Sequence, residues 1–192
     1  MGLESLILAG GQSRRCGVGE ALGIKGLALA ERIAHALRPV SARVMIMGDT
    51  PIPDFEFFAD RESGRGPMAA LAEYLPREQF VFVAACNLVA FRADVVTDLR
   101  NRIGDRPAIV PTVQGRPQPL CGLYRIETFE MLRKLVSRGE NRLDVWLKRI
   151  EAREVAAESL STPAACFNVC IPSAGRAVVR STPREVAEAP VP

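Results

Sequence analysis

The sequence predicts an α/β fold of three layers: a mainly parallel, twisted sheet with helices on both faces. Three observations carry that expectation. Leu3–Leu8 and Phe80–Ala85 are short, predominantly apolar runs, the pattern of strands buried on both faces. Strand-like and helix-like segments alternate through most of the length, which favours parallel pairing with helical crossovers. The first strand runs straight into Gly10-Gly11, a turn suited to a strand-to-helix passage.

Taken in order, the spacing predicts a helix over 27–37, with Leu27, Ala30, Ile33, Ala34 and Leu37 on one face. Glu31, Arg32 and His35 lie on the other face, and Pro39 closes the segment. Residues 43–47 read as a second strand and 55–58 as a short third. Gly66-Pro67 opens a helix over 68–75, with proline at a first-turn position that tolerates it. Phe80–Ala85 is the most strand-like run and is expected to be central, beside Leu3–Leu8. Beyond it, helices are expected over 93–103, 127–136 (ended by Gly139) and 143–150. Strands are expected over 108–110 and 120–124, with Arg153–Ala156 as an edge strand. Residues 1–179 read as one domain, and the proline-containing, aperiodic residues 180–192 as a disordered tail.

Composition bounds the function. The chain has 192 residues, 48% hydrophobic and 24% charged, with a formal charge of +3. A small charge with dispersed basic residues gives nucleic-acid binding no support. No stretch reaches the roughly 18 apolar residues of a membrane span. The N-terminus carries Glu4 where an export signal wants basic residues, so a cytoplasmic protein is expected. Five scattered cysteines without a Cys-x-x-Cys pair read as free thiols rather than a zinc site. His35 is the single histidine, which narrows nucleophilic mechanisms to one residue on a helix surface.

The chemistry concentrates after the first strand, in Leu8-Ala9-Gly10-Gly11-Gln12-Ser13-Arg14-Arg15-Cys16-Gly17. Adjacent glycines admit backbone angles closed to other residues and let main-chain N–H groups face an anion. Arg14 and Arg15 add guanidinium groups suited to phosphate oxygens. The run lacks the Gly-Lys-Ser/Thr of a Walker loop and the spacing of a dinucleotide fingerprint. On residues alone, a plain glycine turn with two solvated arginines fits as well.

This run resembles the opening of nucleotidyltransferases with a glycosyltransferase-A-like, nucleotide-diphospho-sugar transferase fold. Among them it most resembles the molybdenum cofactor guanylyltransferases, the molybdopterin-guanine dinucleotide biosynthesis protein A family. The resemblance continues at Asp60 and Gly64-Arg65-Gly66-Pro67-Met68-Ala69-Ala70-Leu71, and at Phe82-Val83-Ala84-Ala85-Cys86. Pro117-Gln118-Pro119-Leu120-Cys121-Gly122-Leu123-Tyr124 is similar to the strand that faces the second substrate. Gly139-Glu140-Asn141-Arg142-Leu143 and Phe167-Asn168-Val169 complete it, to about residue 172. The resemblance implies transfer of GMP from GTP to molybdopterin with release of pyrophosphate, assisted by magnesium. It assigns phosphate and charge handling to Arg14, Arg15 and Lys25. Nucleotide contacts fall to Leu8, Ala9, Gly10, Gly11, Ser13, Asp60, Gly66 and Pro67, and a metal contact to Asn87. A molybdoenzyme or another cofactor-biosynthesis protein is the implied protein partner.

The chain departs from the family pattern where charge matters. Gly19-Glu20 stands in place of an Asp-Lys pair, which sets an anion near the triphosphate. Asn87 stands in place of an aspartate metal ligand, and an amide oxygen lacks the charge that magnesium prefers. Cys170 replaces a late asparagine, and Gly48-Asp49 replaces an asparagine near the base. Three functions therefore stand side by side: guanylyl transfer, a non-catalytic carrier of nucleotide or molybdopterin, and cytidylyl or sugar-phosphate transfer. Trp146 and Cys16 read as packing residues. Asp49 and Asp60 read equally as solvated loop acids or as metal or base contacts.

Overall fold

The computed structural model describes residues 2–10, 26–60, 64–161, 172–173 and 176–177. A mixed sheet forms the middle layer. β4 (Phe80–Ala85) sits at its centre; β1 (Leu3–Leu8) lies beside it, followed outward by β2 (Arg43–Gly48) and β3 (Glu56–Ala59). All three of these pairings are parallel. Beyond β4 the sheet changes direction. β7 (Cys121–Arg125) pairs antiparallel with β4 and with β5 (Ala108–Val113), and the short β6 (Arg116–Pro117) returns antiparallel on β5. β8 (Arg153–Ala156) pairs parallel with β5 alone, as the expected edge strand. A separate two-stranded ribbon joins β9 (Pro172–Ser173) and β10 (Arg176–Ala177).

The period of two along each strand divides the core into two faces. Leu3 and Ile7 of β1, Val44 and Ile46 of β2, and Phe80, Phe82 and Ala84 of β4 pack on one face. Helix α1 (Gly26–Leu37) covers them with Ala30, Ile33, Ala34 and Leu37, and α3 (Asp94–Arg102) with Val95, Val96 and Leu99. Leu6 and Leu8, Met45 and Met47, and Val81 and Val83 point to the opposite face. There they meet α2 (Pro67–Glu73), α4 (Thr128–Val136) and α5 (Leu143–Arg149). Leu6, Ile7, Phe82 and Val83 are fully buried, each worth about 1.5–3 kcal/mol relative to exposure. Trp146 behaves as the expected packing residue. It is fully buried, stacks on Tyr124 with ring centres 4.6 Å apart, and donates its indole N–H to the Thr128 carbonyl at 3.1 Å.

Three expectations need correcting. Helix α2 stops at Glu73 rather than at residue 75, because Tyr74 is extended (φ −77°, ψ 135°) and turns its hydroxyl inward to Glu4. Leu75, just before Pro76, is left 68% exposed. Strand β5 continues through Pro111 to Val113. The proline carbonyl still accepts from Gln118 N–H at 2.8 Å, so the missing donor costs the ladder little there. The loop expected between the strands at 108–110 and 120–124 is in part a further strand of the mainly parallel sheet. The hairpin at Gln114-Gly115, with φ of 51° and 72°, reverses the chain within a segment read as one strand and a loop. The tail at 180–192 lies outside the described residues.

Candidate functional site

Parallel pairing brings the carboxyl ends of β1, β2 and β4 to one edge of the sheet, the edge where open α/β sheets take ligands. Leu8 pairs with Ala85, and Leu8 O accepts from Cys86 N–H at 3.1 Å. Gly10 and Asn87 thus follow adjacent strand ends, as the sequence predicts. Ala9 is buried, and its N–H donates to Met47 O at 2.7 Å. The chain leaving β1 therefore leans over the end of β2. Asp60 follows β3, and its N–H donates to Gly48 O at 2.8 Å.

Gly10 has no positive φ. The expectation that it supplies an unusual backbone angle is replaced by a different need, close approach. A β-carbon on Gly10 would lie 3.3 Å from Asp60 Oδ2 and 3.5 Å from the Gly48 α-carbon. Gly66 does use its freedom: φ is 92°, immediately before Pro67 opens α2. The other end of α2 meets Glu4 at the amino end of β1, through Tyr74. Gly66 and Pro67 thus face the same carboxyl edge as Gly10. Of the expected site residues, Leu8, Ala9, Gly10, Asp60, Gly66, Pro67 and Asn87 share this edge. Gly11, Ser13, Arg14, Arg15 and Lys25, and the departures Glu20 and Cys170, lie outside the described residues.

Asn87 is 7% exposed, at the turn after β4. Among the described residues, no three His, Cys, Asp or Glu side chains come together as a metal site. Asn87 offers a hard cation an amide oxygen, without the charge such a cation prefers, and Asp49 and Asp60 are the carboxylates that follow the neighbouring strand ends.

Two contributors escaped the sequence. Arg32, expected on a solvated helix face, donates Nη2 to the carbonyls of Val89 and, at 3.4 Å, Leu88. It ties α1 to the turn that follows Asn87, and nothing in its spacing marks a bond 56 residues away. Gly48, noted only as a missing asparagine, lies directly beneath the chain leaving β1. A β-carbon there would sit 3.0 Å from the Ala9 carbonyl carbon. His35 keeps its exposed place, edge-on to Phe55 with ring centres 5.0 Å apart. No helix among the described residues is long and apolar enough to cross a membrane.

Comparison with known proteins agrees with this geometry. Residues 5–155 match the model of the MobA-like NTP transferase domain. The chain is 27% identical over 165 residues to a Carboxydothermus hydrogenoformans protein named "probable molybdenum cofactor guanylyltransferase", covering 82% of this chain and 83% of that one. A crystal structure of an Aquifex aeolicus protein superposes with a TM-score of 0.72 at 22% identity, over 88% of this chain and 94% of that one. Molybdopterin-guanine dinucleotide biosynthesis protein A from Archaeoglobus fulgidus superposes at 0.64 and 21% identity, over 81% and 84%. These superpositions show the nucleotide-diphospho-sugar transferase fold. The chain belongs to the MobA-like NTP transferase domain family.

Proposed function

We propose that the protein is a molybdenum cofactor guanylyltransferase, taking GTP and a molybdopterin-type phosphate as substrates in the cytoplasm. The observation that carries this reading is the convergence of Ala9-Gly10, Gly48-Asp49, Asp60 and Asn87 on one sheet edge in a chain of this family. The acceptor phosphate oxygen forms a bond to the α-phosphorus of GTP in line with the leaving group. The bond from that phosphorus to the bridging oxygen breaks, and pyrophosphate leaves with the electron pair. Main-chain amides of Gly10 and Gly11, with the guanidinium groups of Arg14 and Arg15, neutralise the departing charge. Catalysis of this kind is positioning and charge stabilisation, without covalent participation by the protein.

A second reading has a specific support. Asn87, a buried amide where the family resemblance implies an anionic metal ligand, and Glu20, which stands where the resemblance implies a lysine, both favour a protein that binds nucleotide or molybdopterin without turnover. One set of measurements separates the two. Binding of GTP, CTP and ATP is followed by calorimetry with and without magnesium, and GMP transfer to molybdopterin by mass spectrometry. Guanylyl transfer requires GTP preference and a GMP-bearing product. Tight nucleotide binding without product sustains the carrier, and preference for CTP overturns the guanylyl assignment. In the carrier case, the double substitution Glu20→Lys, Asn87→Asp is expected to tighten magnesium–GTP binding. It removes a like charge and supplies an anionic ligand, although the two effects need not add.

A further inference from the structure

We infer that Gly48 is a positioning residue, the floor that sets where the phosphate-binding backbone at Ala9-Gly10 lies. The inference rests on the reading of that backbone as a nucleotide phosphate cradle. Gly48 ends β2, and its φ is not positive. Its lack of a side chain therefore supplies space rather than conformational freedom. The space is already filled by the neighbouring main chain. An ideal β-carbon at 48 would lie 3.0 Å from Ala9 C, 3.1 Å from Ala9 O and 3.3 Å from Gly10 N. All three are backbone atoms of one peptide unit, so no flexible side-chain end can swing aside.

The same peptide is held on its other sides. Ala9 N–H is committed to Met47 O at 2.7 Å, which anchors the strand side of the unit. Asp60 N–H is committed to Gly48 O at 2.8 Å, and Asp60 Oδ2 stands 3.3 Å from the β-carbon position of Gly10. The α-carbon of Gly48 and the carboxylate of Asp60 thus both border the position a Gly10 side chain would take. A methyl group at 48 must displace the Ala9-Gly10 peptide, and the anchored Ala9 amide directs that displacement to Gly10. A few tenths of an ångström there misdirects the main-chain amides that meet phosphate, and such placement tolerates little error. The departure Gly48 from an asparagine-bearing pattern becomes, on this view, a fitted contact between β2 and the first loop.

The test uses the full-length chain and two probes, magnesium–GTP and inorganic pyrophosphate, with dissociation constants measured by calorimetry. Gly104→Ala serves as the control for a purely structural effect. It strains a backbone at φ 53° with open space around it, and it lies after α3, away from the loop. Gly48→Ala is expected to weaken both probes tenfold or more per folded molecule, while Gly104→Ala weakens neither. Equal loss with pyrophosphate, which has no base, assigns the effect to the phosphate cradle. Parent-like binding of both probes by folded Gly48→Ala overturns the inference, as does a loss confined to GTP. If the parent binds neither probe, the phosphate-cradle reading falls and the inference with it. Should Gly48→Ala fail to fold in plain buffer, the same constants are measured for parent and variant in sucrose, which favours the folded state of both. A tenfold or larger weakening of pyrophosphate by the folded variant then sustains the inference, and parent-like binding overturns it.

Discussion

The two ends of β1 are built on opposite principles. At its amino end, Glu4 is fully buried and its carboxylate is surrounded by donors. Tyr74 Oη–H donates to Oε2 at 3.0 Å, the Arg77 N–H donates to Oε1 at 2.9 Å, and Arg43 Nη1 lies 3.7 Å from Oε2. Arg43 in turn donates Nε to Glu56 Oε1 at 2.9 Å. Beyond its carboxyl end, four residues on from Glu4, the Ala9-Gly10 main chain packs against Gly48, with the Asp60 carboxylate beside it. The amino end spends side chains to close the sheet, and the carboxyl end keeps the position beneath its main chain free of one. On the proposed function, stability and ligand contact fall at opposite ends of the same strand, so that each can change without the other.

Three substitutions at the amino end probe that separation. Glu4→Ala is expected to have the largest effect, because it leaves the Tyr74 hydroxyl, the Arg77 amide and Arg43 Nη1 facing a space without an acceptor. Breaking a buried charged network in this way costs about 3–5 kcal/mol. Chemical denaturation should report that loss, while the dissociation constant for GTP, per folded molecule, stays within about twofold of the parent, a change of under 0.5 kcal/mol. A parallel loss of affinity would break the comparison.

Tyr74→Phe sharpens it through pH. Burial, and then the neighbouring Glu4 charge, push the Tyr74 phenol above its ordinary value, and burial raises Tyr124 likewise. A raised folded value means the stabilisation is complete below the unfolded tyrosine pKa of about 10. It is lost as pH rises from there toward the folded value. Stability of the parent should therefore decline above about pH 10, with the unfolded chain releasing protons that the folded chain keeps. Tyr74→Phe should cost about 1–2 kcal/mol at neutral pH, since Glu4 loses a donor. Its alkaline decline should be shallower by about one proton, leaving Tyr124 to supply the rest. An unchanged alkaline slope would remove Tyr74 from the seal.

The smallest effect is expected from Glu56→Gln. The hydrogen bond from Arg43 lowers the Glu56 pKa, so its contribution is present above the ordinary glutamate value and lost as pH falls through the lowered folded one. The Glu56 side chain is 51% exposed, so solvent screens the pair and the loss should stay below about 1 kcal/mol. It should also shrink in high salt. A loss as large as that of Glu4→Ala would make the pair part of the buried seal rather than its solvent rim.

Much of the parallel half was legible because its signals are local. The alternation of Leu3, Ile7 and Leu6, Leu8 on two faces, and the helical spacing of Ala30, Ile33, Ala34 and Leu37, follow from backbone periods of two and 3.6. The placing of Gly10, Asp60, Pro67 and Asn87 at the carboxyl edge was legible because each follows or opens an element of a parallel sheet. The antiparallel half was less legible. The strand expected over 108–110 continues through Pro111, whose carbonyl accepts from Gln118 N–H.

The sequence by itself determined the fold class, the central pairing of Leu3–Leu8 with Phe80–Ala85, and the edge on which Gly10 and Asn87 lie. Those properties depend on which residues neighbour one another along the chain, and hydrophobic period records that directly. Tertiary structure alone decided what Glu4, Arg32 and Gly48 do. Glu4 reads as a polar interruption of a strand until Tyr74 and the Arg77 amide arrive from 70 and 73 residues away. Arg32 reads as solvated until the turn after Asn87 reaches its helix. Gly48 reads as a vacancy in a motif until the Ala9-Gly10 peptide is laid across it at van der Waals distance. In each case the deciding quantity is a distance between segments remote in sequence, and no local pattern of residues encodes such a distance.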